Sequence, residues 1–114
     1  MKGSYVLLLM LKEPKRVKVG KLGFVDFKAG WYAYVGSGMN SLIGRVARHF
    51  KRNKKLRWHI DYLTTVADDV VVFLLPNGKE CELAKLFNGF ECVEGFGCSD
   101  CSCRSHLFYL GNFK

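Results

Sequence analysis

The run Tyr5–Leu11 is apolar at every position and is bracketed by Lys2 and Lys12. It is far shorter than the roughly 20 residues a helix needs to cross a bilayer, and no small-residue cleavage site follows it. An unbroken apolar run of this length suits a strand buried on both faces, so the chain is expected to form a sheet around it. With 114 residues it is long enough for one core and too short for two. Hydrophobic residues at 49% and charged residues at 25% fit a globular chain rather than a disordered one. The expected location is cytoplasmic, with no membrane partner.

Around this run the sequence alternates strand, turn and helix signals. Glu13-Pro14-Lys15 reads as a turn, and Val17-Lys18-Val19 alternates as an edge strand with one wet face should. Gly20, Gly23 and Gly30 punctuate the next stretch. Trp31–Val35 is β-rich and aromatic, and Gly36-Ser37-Gly38 supplies a turn. Val70–Leu75 is a second uninterrupted apolar run, expected as a buried strand that ends at Pro76-Asn77-Gly78. Trp58–Leu63 predicts a short helix with Arg57 and Asp61 placed to pair. Glu80–Phe87 predicts another, with Leu83, Leu86 and Phe87 on its apolar side and Glu82 near its start. His59 is expected to be a structural, hydrogen-bonded histidine.

Charge is concentrated after Gly38. Asn40 or Ser41 can cap a helix running to about Arg52, in which Leu42, Ile43, Val46, Ala47 and Phe50 share one arc. Arg45, Arg48, His49 and Arg52 share another, and Lys51, Lys54, Lys55 and Arg57 extend the basic tract. Arg45 and His49 border the apolar arc and should be sheltered. Four cations on one stripe repel one another unless an anion faces them. The formal charge of +8, from 18 Lys and Arg against ten Asp and Glu, points the same way. The predicted partner is nucleic acid, with Arg48, Arg52, Lys54 and Lys55 on the binding face; a solvated basic face is the alternative.

The five cysteines do not read as a disulfide framework, because the number is odd and three crowd together near the C-terminal end. Cys98, Cys101, Cys103 and His106 offer zinc-type donors, but their spacing is tighter than that of paired zinc knuckles. A zinc ion on that string is not the expected reading. A tight polar turn leading into a closing strand at His106–Leu110 is.

Two short strings remain. Gly3-Ser4-Tyr5 and Tyr34-Val35-Gly36 each set a tyrosine and a glycine at the edge of a β-type run, and the second leads into the arginine-bearing helix. The pair resembles the GIY-YIG nuclease signature. That resemblance implies an α+β domain over the whole chain, with a small, mainly antiparallel sheet flanked by helices. The long stretch between the strings leaves room for an added strand near Val17–Val19. Trp58-His59-Ile60-Asp61-Tyr62 and Gly95-Phe96-Gly97 through His106-Leu107 resemble more closely a small prokaryotic branch, whose members are sometimes fused to endonuclease III-type repair enzymes.

The same resemblance implies Tyr5, Tyr34, Arg45 and His49 as catalytic residues and Glu82 as the carboxylate for one Mg2+ or Mn2+ ion. Hydrolysis of a phosphodiester needs an activated water and neutralised phosphoryl oxygens. A free phenol has a pKa near 10, so a tyrosine base must be tuned; Arg45 is placed to lower that pKa and to bind phosphate, and His49 to relay a proton. The implied function is metal-dependent DNA cleavage in repair or processing. Two alternatives are a non-catalytic nucleic-acid-binding module on the same fold and a partner-binding domain with a zinc-stabilised tail. Convergence of Tyr5, Tyr34, Arg45 and Glu82 on one cleft favours the nuclease, and a Glu82 turned away favours the binding module.

Overall fold

The computed structural model describes residues 3–38, 42–51, 54–98 and 103–112. Its centre is β1 (Gly3–Leu11), hydrogen-bonded on one side to β4 (Gly30–Gly38) and on the other to β5 (Asp69–Pro76). With β7 (Leu107–Gly111) and β6 (Glu91–Cys92) these make a five-stranded antiparallel sheet of order β5-β1-β4-β7-β6. The stretch between β1 and β4 folds as a separate hairpin, β2 (Lys15–Val19) with β3 (Gly23–Phe27), so the added strand comes as a pair. Three helices complete the α+β fold: α1 (Leu42–His49), α2 (His59–Thr64) and α3 (Glu80–Lys85). Among the described residues no helix is long and apolar enough to cross a membrane.

Alternation along the strands sorts the packing into two layers. Tyr5, Leu7, Leu9 and Leu11 of β1 face the same side as Tyr32 and Tyr34 of β4, and all are buried. They pack with Val46 of α1, Ile60 and Leu63 of α2, Phe27 and Val19 of the hairpin, and Phe96. Val6, Val35 and Phe108 point the other way and meet Ala84, Leu83 and Phe87, so α3 and the turn after it cover the second face. The basic helix and the third helix therefore lie on opposite faces of one thin sheet.

Four elements depart from expectation, the first being β4, which runs on through Gly36-Ser37-Gly38, expected as a turn, to pair with Tyr5, Ser4 and Gly3. The apolar strand β5 is an edge strand with no buried residue, and Val71, Phe73 and Leu74 are 45%, 54% and 44% exposed. A continuous apolar run signals two covered faces only when neighbours exist to cover them, and β5 pairs with β1 alone. Helix α1 stops at His49, earlier than its arginine periodicity suggests, and Arg52 together with the capping residues Asn40 and Ser41 lies outside the described residues. Leu86, expected on the apolar side of the third helix, is 75% exposed because α3 ends at Lys85 and the chain turns there.

Candidate active site

The two tyrosine strings lie side by side. In the β1–β4 register Gly3, Ser4 and Tyr5 oppose Gly38, Ser37 and Gly36, while Tyr34 opposes Leu7. The Tyr5 ring crosses directly over Gly36, where a Cβ would fall 2.3 Å from the phenol's Cζ and Oη. Only glycine leaves that space open. Ser4 sits on the other side of β1 and donates a hydrogen bond to the Gly78 carbonyl at 2.9 Å.

Tyr5 is completely buried, and its hydroxyl lies 2.6 Å from Nε2 of His49 on the last turn of α1. Tyr34 completes a three-ring cluster, its ring centroid 6.4 Å from both Tyr5 and His49. Behind Tyr34, Gly97 has φ +74° and a Cβ there would approach the ring to 3.2 Å, so a second glycine admits the phenol from the turn before β7. His59 accepts the Gly97 N–H at Nδ1, 2.9 Å, and so anchors that turn as a structural histidine. Gly97 therefore has both of its sides assigned.

Burial sets the protonation of this cluster. Loss of solvent raises both phenols well above the ordinary tyrosine value. Arg45 lowers them, and Glu80 and Asp61 raise them further, but burial dominates. Tyr5 is thus un-ionised at neutral pH, the reverse of the tuning expected of a phenolate base. His49 is pushed down to about 4, first by burial and then by Lys54, with Arg45 and Arg48 adding to the effect and Asp61 opposing it. A neutral phenol and a neutral imidazole face each other at hydrogen-bonding distance. The His49 Nδ1 is buried without a hydrogen-bond partner among the described residues.

The arginines of α1 take different paths. Arg45 donates from Nη1 to the Ser37 carbonyl at 2.6 Å and lays its guanidinium 4.0 Å from the centre of the Trp58 ring. It has no ion pair among the described residues, and its Nε is buried without a hydrogen-bond partner. Arg48 instead donates to Oδ2 of Asp61 at 2.9 Å, and also to the Lys55 carbonyl. Lys54, its side chain 2% exposed, donates to Thr64 Oγ1 and to the Arg48 carbonyl and lies 3.8 Å from Oδ1 of Asp61. The stripe is therefore not a uniform solvated face. Arg48 and Lys54 carry their charge inward, while Lys55 is exposed and Arg52 lies outside the described residues.

Asp61 is the anion that this tract faces. It stands at the third position of α2 and accepts the backbone N–H of Trp58 and Arg57 at 3.0 and 2.9 Å, capping the helix. Those bonds and Arg48 hold its carboxyl below the usual range although burial pushes the other way. The expected Arg57–Asp61 contact is thus made by the Arg57 backbone, and the charge comes from Arg48. Sequence spacing pointed to Arg57 because the Arg48–Asp61 contact joins residues 13 positions apart on separate helices.

Glu82, the expected metal carboxylate, is exposed on α3. The carboxylate whose field reaches Tyr5 and Tyr34 from that helix is Glu80, at its first position. Glu80 Oε1 also lies 4.0 Å from Nε2 of the buried His106, and its side chain is 28% exposed. Glu80 offers one partly exposed carboxylate, the donor type that a hard ion such as magnesium takes. The two glutamates are a half-turn apart on a short helix, and a sequence cannot assign the inner one without knowing which face α3 presents.

No curated protein and no solved structure matches this chain. The model of the family described as Domain of unknown function DUF123 matches residues 4–114, and the chain belongs to that family.

Proposed function

We propose that this chain is a GIY-YIG-type endonuclease that hydrolyses DNA phosphodiester bonds with one divalent metal ion. The observation that carries the reading is the Arg45 guanidinium, which meets no carboxylate among the described residues while lying beside the Tyr5–His49 pair. Arg45 is half-buried, and a phosphoryl group would supply the anion it lacks. Glu80 replaces Glu82 as the metal carboxylate in this assignment. A bound magnesium or manganese ion would supply Lewis-acid neutralisation at the phosphoryl oxygens.

The chemistry of the pair follows from its protonation. Tyr5 is no base while un-ionised, but it can pass its proton to neutral His49 as it accepts one from the attacking water. His49 is the terminal base of that relay, and Tyr5 positions the water. Arg45 stabilises the charge that grows on the phosphoryl oxygens, and Tyr34 shapes the wall of the cluster. Lys55 is left to attract the DNA backbone, joined by Arg52 in the same basic tract.

The test is cleavage of double-stranded and branched DNA with and without magnesium. Glu80→Gln should abolish metal-dependent cutting with binding nearly intact, and Glu82→Gln should cut normally. Full activity in Glu80→Gln would sink the assignment.

A second reading, a non-catalytic nucleic-acid-binding module, is favoured by two observations: Glu82 is exposed and does not join the tyrosines, and Tyr5 and His49 are 0% and 1% exposed, so a substrate reaches them only if the cover opens. It predicts salt-sensitive DNA binding with no cleavage under any metal.

A further inference from the structure

Away from the tyrosines, three side chains of metal-ligand type meet where α3 approaches the start of β7. Candidate ligand atoms of Cys81, Cys103 and His106 all lie within 4.8 Å of one another. Cys81 is the second residue of α3, whereas Cys103 and His106 belong to the segment leading into β7, so the meeting is made by the tertiary fold. His106 is completely buried and both cysteines are half-buried. We propose that Cys81, Cys103 and His106 bind one zinc-class divalent ion, with water in the fourth position.

The donor set decides the class of ion. Two thiolates and an imidazole select a borderline-soft metal such as zinc over magnesium or calcium, which require oxygen donors. Zinc takes sulfur at about 2.3 Å and nitrogen at about 2.0–2.1 Å in a tetrahedron, which sets its ligand atoms roughly 3.5–3.8 Å apart. A cluster already within 4.8 Å stands within about 1 Å of that spacing. The Glu80 carboxylate stands 4.0 Å from Nε2 of His106, beyond hydrogen-bond reach, and places a negative charge beside the cluster.

This site differs from a knuckle built on the C-terminal string. Cys98 donates its S–H to the Phe96 carbonyl at 3.4 Å, and Cys101 lies outside the described residues. The ion would instead clamp α3, which carries Glu80, to the strand that pairs with β4 beside Tyr34. The inference needs no nuclease activity, and its readout is independent of cleavage.

The experiment uses the full chain, reduced and stripped of metal, titrated first with Co2+ and then with Zn2+. One equivalent of cobalt should produce thiolate-to-cobalt charge-transfer absorption and the visible bands of a tetrahedral ion, both erased by one equivalent of zinc. Cys81→Ser, Cys103→Ser and His106→Asn should lose those bands, and Cys98→Ser should keep them. In the unaltered chain, zinc should slow alkylation of Cys81 and Cys103 selectively, read by peptide mass spectrometry, which covers the case of a variant that fails to fold. Absence of charge transfer in the reduced chain, alkylation rates indifferent to zinc, or bands that need Cys98 rather than Cys81 would each overturn the proposal.

Discussion

Tyr5 and Gly36 are cross-strand partners in which the phenol occupies the volume a side chain would need. A Cβ at Gly36 would stand 2.3 Å from the ring's Cζ and hydroxyl oxygen. Gly36→Ala therefore forces Tyr5 off its rotamer, and overpacking of this kind costs about 1–3 kcal/mol or more. Urea denaturation should show that cost, and it should shrink in a Tyr5→Leu background because the clashing ring is gone. Equal costs in both backgrounds would separate Gly36 from Tyr5.

His49 gives stability a pH signature. Its folded pKa is held near 4, against about 6.5 in the unfolded chain, so between those values the unfolded state binds more protons. Stability contributed by the neutral imidazole is fully present above pH 6.5 and is lost as pH falls toward 4. The total is about 3 kcal/mol from the shift in pKa. His59, also lowered by burial, adds loss of the same sign. Replacing His49 by Gln should flatten most of this slope in denaturation curves measured from pH 7 to pH 4.

The two arginines of α1 should separate function from stability. Arg48 serves Asp61, so Arg48→Met leaves a buried carboxylate short of its partner and should destabilise by about 3 kcal/mol. Arg45 meets no carboxylate among the described residues, so Arg45→Met should cost far less in denaturation. On the nuclease reading it should lower kcat roughly 100- to 1,000-fold. Steady-state kinetics beside melting curves for both variants reads the difference.

Asp61 should be among the least replaceable polar residues. It caps α2 through two backbone N–H groups and also takes the charge of Arg48. Asp61→Asn keeps the shape but loses the charge, and the cost should be about 3 kcal/mol, with exchange of the Trp58 amide accelerated. Hydrogen-exchange NMR at that amide would read the loss of the cap directly.

Much of the fold could be read locally. The run Tyr5–Leu11 announces the central strand, Pro14 marks the entry to the hairpin and glycines its turn and exit, and the 3.6-residue period finds α1. The same local signals misplace β5, because apolar content reports what a strand tolerates and not how many neighbours it has. They also leave Leu86 on the wrong surface, since α3 ends before its period is complete.

The sequence by itself determined the central strand, the helix segments, the two tyrosine strings and the clustering of charge after them. These depend on contacts between near neighbours and on periodicities of two or 3.6 residues. Only the tertiary structure decided which charges are committed. It turned Arg48 and Lys54 onto Asp61, left Glu82 exposed and Glu80 half-buried, raised the phenols by burying them and brought Cys81 to Cys103 and His106. Those outcomes depend on which faces of separate elements meet, and on how much water the meeting excludes. Neither quantity is carried by residue spacing.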